Sequence, residues 1–356
     1  MDSKHVSKKS GALTSKVAAT FIVILCAVVL GPGILDLESN QALAYKQNFC
    51  SRTAQAAFIA CKNEMRDDFW IAIGNCNNLS DPDDQSECIE DAKMARAETK
   101  EECLAQQEAR LELCEDLGED PYDPELDPAD FVDPTTIIKD NANRYFPLVP
   151  GTEWVYEAKD IDGNLLERIT VTVTGETKEI EYPAESGQIF NCAVVRDVVE
   201  EYDPDSKEYC VIEDTLDWYA QEANGNVWYF GEISQEFENG ELASLEGSWK
   251  AGVEDAKPGI LMWAIPDPAN EDQNPYRQEF SLGNAEDAGE VVSRNEESVT
   301  VPYGTFEDDV VKTKDWTPIE PDVSEFKYYA PEIGLIKEEN PESGEYVVLI
   351  KKTTVP

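Results

Sequence analysis

Residues 50–114 read CSRTAQAAFIACKNEMRDDFWIAIGNCNNLSDPDDQSECIEDAKMARAETKEECLAQQEARLELC. Six cysteines punctuate the stretch: Cys50, Cys61, Cys76, Cys88, Cys103 and Cys114. Their spacings of 11, 15, 12, 15 and 11 residues read the same in both directions. The numbers of Cys50 and Cys114, of Cys61 and Cys103, and of Cys76 and Cys88 each sum to 164. At about 100° per residue, an 11-residue step is about three helical turns, and a 15-residue step returns to within about 60° of its start. Ala54, Ala57, Phe58, Met65, Phe69 and Ile73 fill the same face of a first helix; Ala92, Ala95, Thr99 and Arg110 continue the stripe on a second. Gly74 and the run Asn75 to Ser80 predict a stop between them. Asp81 then suits an N-cap, Pro82 the first helical position, and Asp83 and Asp84 the positive helix end.

A disulfide needs its Cα atoms within about 4.4–6.8 Å, and the neighbouring alanines leave room for that approach. The palindrome therefore predicts an antiparallel helical hairpin with three nested bridges, Cys50–Cys114, Cys61–Cys103 and Cys76–Cys88, out of the many pairings six cysteines allow. The geometry is similar to the twin-cysteine hairpins of the coiled-coil-helix-coiled-coil-helix family, with different spacing and a third pair, and is taken as shared geometry rather than kinship. Such a hairpin reads as a stiffened spacer; Phe58, Phe69 and Trp70 are expected to pack on a following domain, the alternative being a partner-binding helix face.

Upstream, residues 1–44 read as an export signal. Lys4, Lys8, Lys9 and Lys16 precede the apolar run Val17 to Leu30, which is short of the ~20 residues a bilayer span needs. Ala42-Leu43-Ala44 supplies a cleavage motif with Tyr45 as the new N-terminus. The alternative is an uncleaved anchor helix extended to Leu35; Leu25 before Cys26 argues against a lipidated cysteine. The expected location is secreted or periplasmic, or membrane-anchored by the N-terminal segment, in a compartment where cysteines are bridged. The only histidine is His5, so the mature chain would lack one. That excludes Ser–His and Cys–His catalysis, histidine zinc sites and histidine-ligated haem. With 74 acidic and 29 basic residues, a net charge of -45, the chain also repels nucleic acid and anionic membranes.

The hairpin spans 45–118, and residues 119–140 form an acidic linker. It carries four Asp-Pro steps, Asp120-Pro121, Asp123-Pro124, Asp127-Pro128 and Asp133-Pro134, which favour extended backbone. Residues 141–356 change period. Strand candidates are Trp154–Tyr156, Ile169–Val173, Phe190–Val199, Tyr209–Gln221, Val227–Gly231, Tyr276–Leu282, Val291–Val301, Val310–Trp316, Phe326–Ala330 and Tyr346–Lys351. Turn dipeptides separate them, and Asn224-Gly225 predicts the tip of one hairpin in DWYAQEANGNVWYFGE (residues 217–232), with Trp218 and Trp228 side by side. The fold class is α+β: a disulfide-nested antiparallel α-helical hairpin, then a curved antiparallel β-sheet domain, half-barrel or barrel-like.

The runs YFPLVPGTEWVYE (Tyr145–Glu157), DWYAQ and NVWYFGE, EGSWKAG (Glu246–Gly252), YRQEF and YYAPEIGLIKEE (Tyr328–Glu339) resemble an uncharacterised family of exported bacterial β domains, across nearly all of 141–356. The resemblance implies a fold and no activity. The meander is also similar in architecture to LolA/LolB-type half-barrels that carry lipoproteins.

Trp154, Trp218, Trp228 and Trp249 are the candidate ligand-binding residues, as an aromatic platform for a lipid, another apolar ligand or a protein segment; packing in the core is the competing role. Asp160 and Asp162, with Asn164, resemble half a calcium loop, although Asp162-Gly163 also reads as a hairpin turn. No cofactor is expected, calcium being the one candidate. The compartment favours a Cys192–Cys210 bridge, but the turn at Asp203–Ser206 leaves the pair out of register. No phosphate-cradling loop, nucleophile elbow or Cys-x-x-Cys pair occurs. The reading is a non-enzymatic binding or interaction protein using the β domain. The alternatives are a structural envelope or surface protein, whose partner would be another envelope component, and a histidine-free hydrolase built on paired carboxylates.

Overall fold

The computed structural model describes residues 48–295 and 298–354. The expected signal segment, with His5, Cys26 and the Ala42–Ala44 motif, lies outside the described residues. No helix among those described is long and apolar enough to cross a membrane.

Two helices open the fold, α1 (Phe49–Asn77) and α2 (Pro82–Leu117). Asp81 caps α2, its carboxylate accepting from the amides of Asp83 and Asp84, with Pro82 at the first turn. The three bridges are the nested ones: Cys50–Cys114, Cys61–Cys103 and Cys76–Cys88, with Cα separations of 5.6, 5.9 and 5.5 Å. Trp70 does not pack on the sheet; it is 67% exposed, and Phe69 stacks on Arg96 of the neighbouring helix instead.

Among the described residues, eighteen strands follow. They are β1 (Thr152–Lys159), β2 (Leu165–Glu181), β3 (Ile189–Asp203), β4 (Glu208–Gln221), β5 (Val227–Ile233), β6 (Glu236–Glu238), β7 (Glu241–Ser244), β8 (Trp249–Lys250) and β9 (Lys257–Met262). Next come β10 (Tyr276–Arg277), β11 (Glu279–Phe280), β12 (Ala288–Arg294), β13 (Val299–Val301), β14 (Gly304–Phe306), β15 (Val311–Trp316), β16 (Ser324–Ala330), β17 (Gly334–Glu339) and β18 (Tyr346–Thr354). The main sheet runs β10-β12-β15-β16-β17-β18-β1-β2-β3-β4-β5-β9-β11, all pairs antiparallel. Its two ends, β10 and β11, are separated in the chain by Gln278 alone. The sheet therefore curls almost shut, and both edges meet in one short segment, which removes the exposed-edge problem. Gly259 on β9 permits that closure: a Cβ there would lie 2.5 Å from the Gln278 carbonyl oxygen.

The Asp-Pro segment lies along the sheet. Phe131 packs edge-on against Phe190 and Phe230, at 5.2 and 6.1 Å between ring centroids. The Val132 amide donates to the Gln221 carbonyl, and the Ala223 amide to that of Asp130. Asp127 and Asp133 cap single 3-10 turns, so these acids satisfy local amides as well as repelling each other. The described residues make one compact unit. The hairpin is tied into it by Arg110 of α2, whose guanidinium grips Glu286 with two 2.8 Å contacts while both side chains are buried, 6% and 2% exposed.

The Cys192–Cys210 bridge is not formed. β3 and β4 pair around the expected turn, Asp203 opposite Glu208, which sets Cys210 opposite Glu201 near the hairpin end. Cys192 lies far along β3, opposite Lys178 of β2. It is fully buried, and burial pushes its thiol pKa well up, leaving a small apolar core residue.

Candidate functional site

Strand alternation sends one set of side chains into the curl of the sheet and the other outward. Along β1, Trp154 and Tyr156 point inward; from β2 come Val171 and Val173, and from β3 Val195 and Asp197. Across the barrel, β15 contributes Asp315, β16 Lys327 and Tyr329, and β17 Leu335 and Glu338. Together they bound a cavity of about 370 Å³, in the range of small-molecule sites. Six aromatic side chains line it: Phe146, Trp154, Tyr156, Tyr219, Tyr229 and Tyr329.

The β4–β5 hairpin carries the chemistry. Asp217 on β4 faces Glu232 on β5, and Tyr219 faces Tyr229, so β5 has one more residue than β4 between the two pairs. That bulge is at Gly231, whose φ is +130° and where a Cβ would meet Lys250 Cα at 2.8 Å. The extra residue breaks the alternation and returns Glu232 to the cavity beside Asp217. Tyr219 and Tyr229 stack at 4.7 Å between centroids, and the Tyr229 hydroxyl donates to Asp217 at 2.6 Å.

Seven carboxylates reach the cavity against one basic group, Lys327. Burial pushes Asp217 up to about 6, the tyrosine hydrogen bond opposing it. Burial and then repulsion from Asp217 push Glu232 up to about 8. Glu338 is driven by burial to about 7 against the pull of Lys327. Burial, followed by neighbouring carboxylates, holds Asp197 and Glu279 well above the ordinary range, and burial raises Asp287. Burial disfavours the Lys327 charge, but Glu338, Asp315 and Glu325 outweigh it and hold the ammonium well above its usual pKa. Its contacts with Asp315, Glu325 and Glu338 are 3.4, 3.4 and 3.7 Å. Glu279 Oε2 and Asp315 Oδ1 are buried with no hydrogen-bond partner, in side chains 6% and 7% exposed. The Trp249 indole is near enough to Glu279 to ease its burden, yet neither Oε2 nor the indole N–H closes a hydrogen bond.

Of the four tryptophans singled out in the sequence, the cavity takes Trp154, whose indole N–H donates to the Ile333 carbonyl at 2.7 Å. Trp249 packs edge-on against Tyr229 in the core. Trp218 is buried on the other side of the sheet under Lys178, opposite Val194. Trp228 faces Ala220, not Trp218, because the Asn224-Gly225 turn closes Gln221 on Val227 and offsets the two indoles. The aromatic pair expected across this hairpin is instead Tyr219 with Tyr229. Trp228 borders a larger crevice of about 610 Å³ between the hairpin base and the sheet, where Arg110 is spent on Glu286 and Arg277 lies over the Phe280 ring at 4.7 Å.

Asp160 and Asp162 sit in the β1–β2 turn, apart from the cavity. Asp160 accepts from the amides of Asp162 and Asn164 and from the Asn164 side chain, which lowers its pKa and occupies its oxygens. Among the described residues, no group of three or more acidic, cysteine or histidine side chains is arranged to hold a metal ion. The buried carboxylates had no motif to betray them. The one local signal was Gly231 interrupting a strand, a mark of bulges.

No family model matches the chain, and no curated protein matches it. Two solved structures are similar over 60% of its length. One is a candidate lipoprotein from Parabacteroides distasonis ATCC 8503, at 16% identity, with 99% of that chain covered and a TM-score of 0.31. The other is a candidate exported protein with a YmcC-like fold from Bacteroides fragilis NCTC 9343, at 18% identity, with 100% covered and a TM-score of 0.33. At such scores neither likeness carries an argument about this chain. The expected family resemblance finds no sequence-level support, and what the structure shows is the barrel-like antiparallel sheet itself.

Proposed function

We propose that this chain is an exported binding protein that holds a small ligand inside its curled sheet without transforming it. The observation that carries the reading is the cavity of about 370 Å³, walled by strands from both halves of the sheet and lined by aromatic and carboxylate side chains. The three bridges support export, since such bonds persist in oxidising compartments. Native mass spectrometry of the exported protein, followed by a screen of apolar and charged small molecules, tests the reading. A ligand bound one per chain, and lost when Val195→Trp fills the cavity, is the expected result. Absence of any such ligand refutes it.

A second reading, a carboxylate-based hydrolase, is favoured by one observation. Asp217, up to about 6, and Glu232, up to about 8, face each other across β4 and β5, the separation of pKa values that acid and base partners need. Turnover of a glycoside or ester panel at neutral pH, abolished by Glu232→Gln, would support it. No turnover by the folded protein would end it.

A further inference from the structure

Resting on the reading of the cavity as a ligand site, we propose that its ligand is a small organic cation: a protonated amine with more than one charge on an apolar skeleton. Three independent features converge on that chemistry. The first is charge. The carboxylates outnumber Lys327 seven to one, and Lys327 is already shared among three acids, so it supplies no counter-charge for the opposite wall. The second is unmet hydrogen bonding. Glu279 Oε2 and Asp315 Oδ1 are buried acceptors with no closed hydrogen bond, although the Trp249 indole stands near the first, and Asp197 Oδ1 is a third. Leaving such atoms unpaired costs free energy that an ammonium donor restores, with charge assistance. The third is the wall material. Tyr219, Tyr229, Tyr329, Tyr156 and Trp154 line the same space, and aromatic rings stabilise cations while also accepting methylenes.

A bare divalent ion fits less well. Among the described residues the acids are not gathered into a metal-ion shell; they stand around a cavity of about 370 Å³. A fatty acid or another anion would add negative charge to a site that already lacks positive partners. The arrangement also implies proton exchange. Burial pushes Asp217, Glu338 and Glu232 up to about 6, 7 and 8. Asp197, Glu279 and Asp287 are raised as well, Asp315 and Lys327 share the site, and the tyrosines stay neutral there. A bound ammonium favours the ionised carboxylates and so displaces protons. Affinity then rises with pH through this window, by up to about tenfold per unit for each proton released.

The test is isothermal titration of the full exported chain, disulfides intact, with spermidine as probe and calcium chloride and sodium laurate as comparators. Salt is held at about 150 mM, where exposed charges are screened beyond ~8 Å. The expected result is one spermidine per chain, binding that tightens from pH 6 to pH 8, and proton uptake by the buffer. Glu279→Gln and Asp315→Asn should each weaken it by about tenfold or more, the loss of one charged hydrogen bond. Glu176→Gln, on an exposed stretch of β2, should leave it unchanged; near-UV circular dichroism checks that each variant is folded. Equal binding by all three variants, or many weak equivalent sites, would mean surface counter-ion condensation and overturn the proposal. So would calcium binding in preference to spermidine at the same two residues. Laurate binding without spermidine binding overturns the cation proposal and leaves the binding-protein reading standing. If no probe binds the wild-type chain, the cation proposal is lost, and the reading falls with it only if the broader ligand screen is also blank.

Discussion

Replacing Arg110 with methionine should loosen the join between the hairpin and the sheet far more than it disturbs either part. Arg110 donates to both oxygens of Glu286, which also accepts from the Gly283 amide at 2.7 Å. With the partners 6% and 2% exposed, removing the guanidinium leaves a carboxylate stranded out of water. Breaking a buried pair in this way costs about 3–5 kcal/mol. For a unit of this size that is a fall in Tm of roughly 5–8 °C. The three bridges keep α1 and α2 paired regardless, so far-UV circular dichroism should change little. Hydrogen exchange should rise in 281–286 and in the Asp-Pro segment, whose Tyr122 hydroxyl donates to Pro258 and whose Asp123 pairs with Lys257. The double variant Arg110→Met/Glu286→Gln removes the stranded charge and should recover more than half of the loss. Urea unfolding followed by tryptophan fluorescence measures all three. A single variant within about 1 kcal/mol of wild type, or a double variant no better than the single, would refute the reasoning.

Three further outcomes follow from the geometry. Gly231→Val forces a β-branched residue to φ +130° against the Lys250 backbone; strain alone should cost about 1–3 kcal/mol, and carboxyl NMR should find Glu232 titrating nearer the ordinary range. Removing the outer bridge with Cys50→Ser/Cys114→Ser should cost about 3 kcal/mol in a urea melt, not the ~4 kcal/mol of a free loop, because Cys61–Cys103 already closes all but its two arms. Finally, the described residues contain no histidine, so stability between pH 5.5 and 7.5 reports mainly the raised carboxylates. Their folded pKa values exceed the unfolded ones, so the folded state binds more protons and stability falls as pH rises through the window. Acids held low, such as Asp160 and Glu332, are ionised throughout it, and Lys352, lowered to about 8, changes charge near its top. Calorimetry should find Tm about 3–8 °C higher at pH 5.5, and the opposite slope would show that these acids are not buried.

The hairpin was legible before any fold was known because disulfide geometry turns spacing into contact. Cysteines whose numbers sum to 164, on helices of known pitch, had one consistent way to meet, and Asp81-Pro82 marked where the second helix begins. Alternation and turn dipeptides likewise marked most long strands and the antiparallel class. The short strands that close the barrel were merged or missed: Tyr276–Leu282 read as one strand, yet it splits at Gln278 into the two ends of the sheet. The cavity was not legible at all. In a chain with 74 acidic residues, nothing local distinguishes Glu279 or Asp315 from a solvated carboxylate. Their burial depends on which strands become neighbours, on the close approach that Gly259 allows, and on the extra residue at Gly231 that turns Glu232 inward. Periodicity and covalent constraint act along the chain and can be read there. Convergence of charges from strands as far apart in the chain as those of Asp197 and Glu338 is a property of barrel closure, which only the tertiary structure decides.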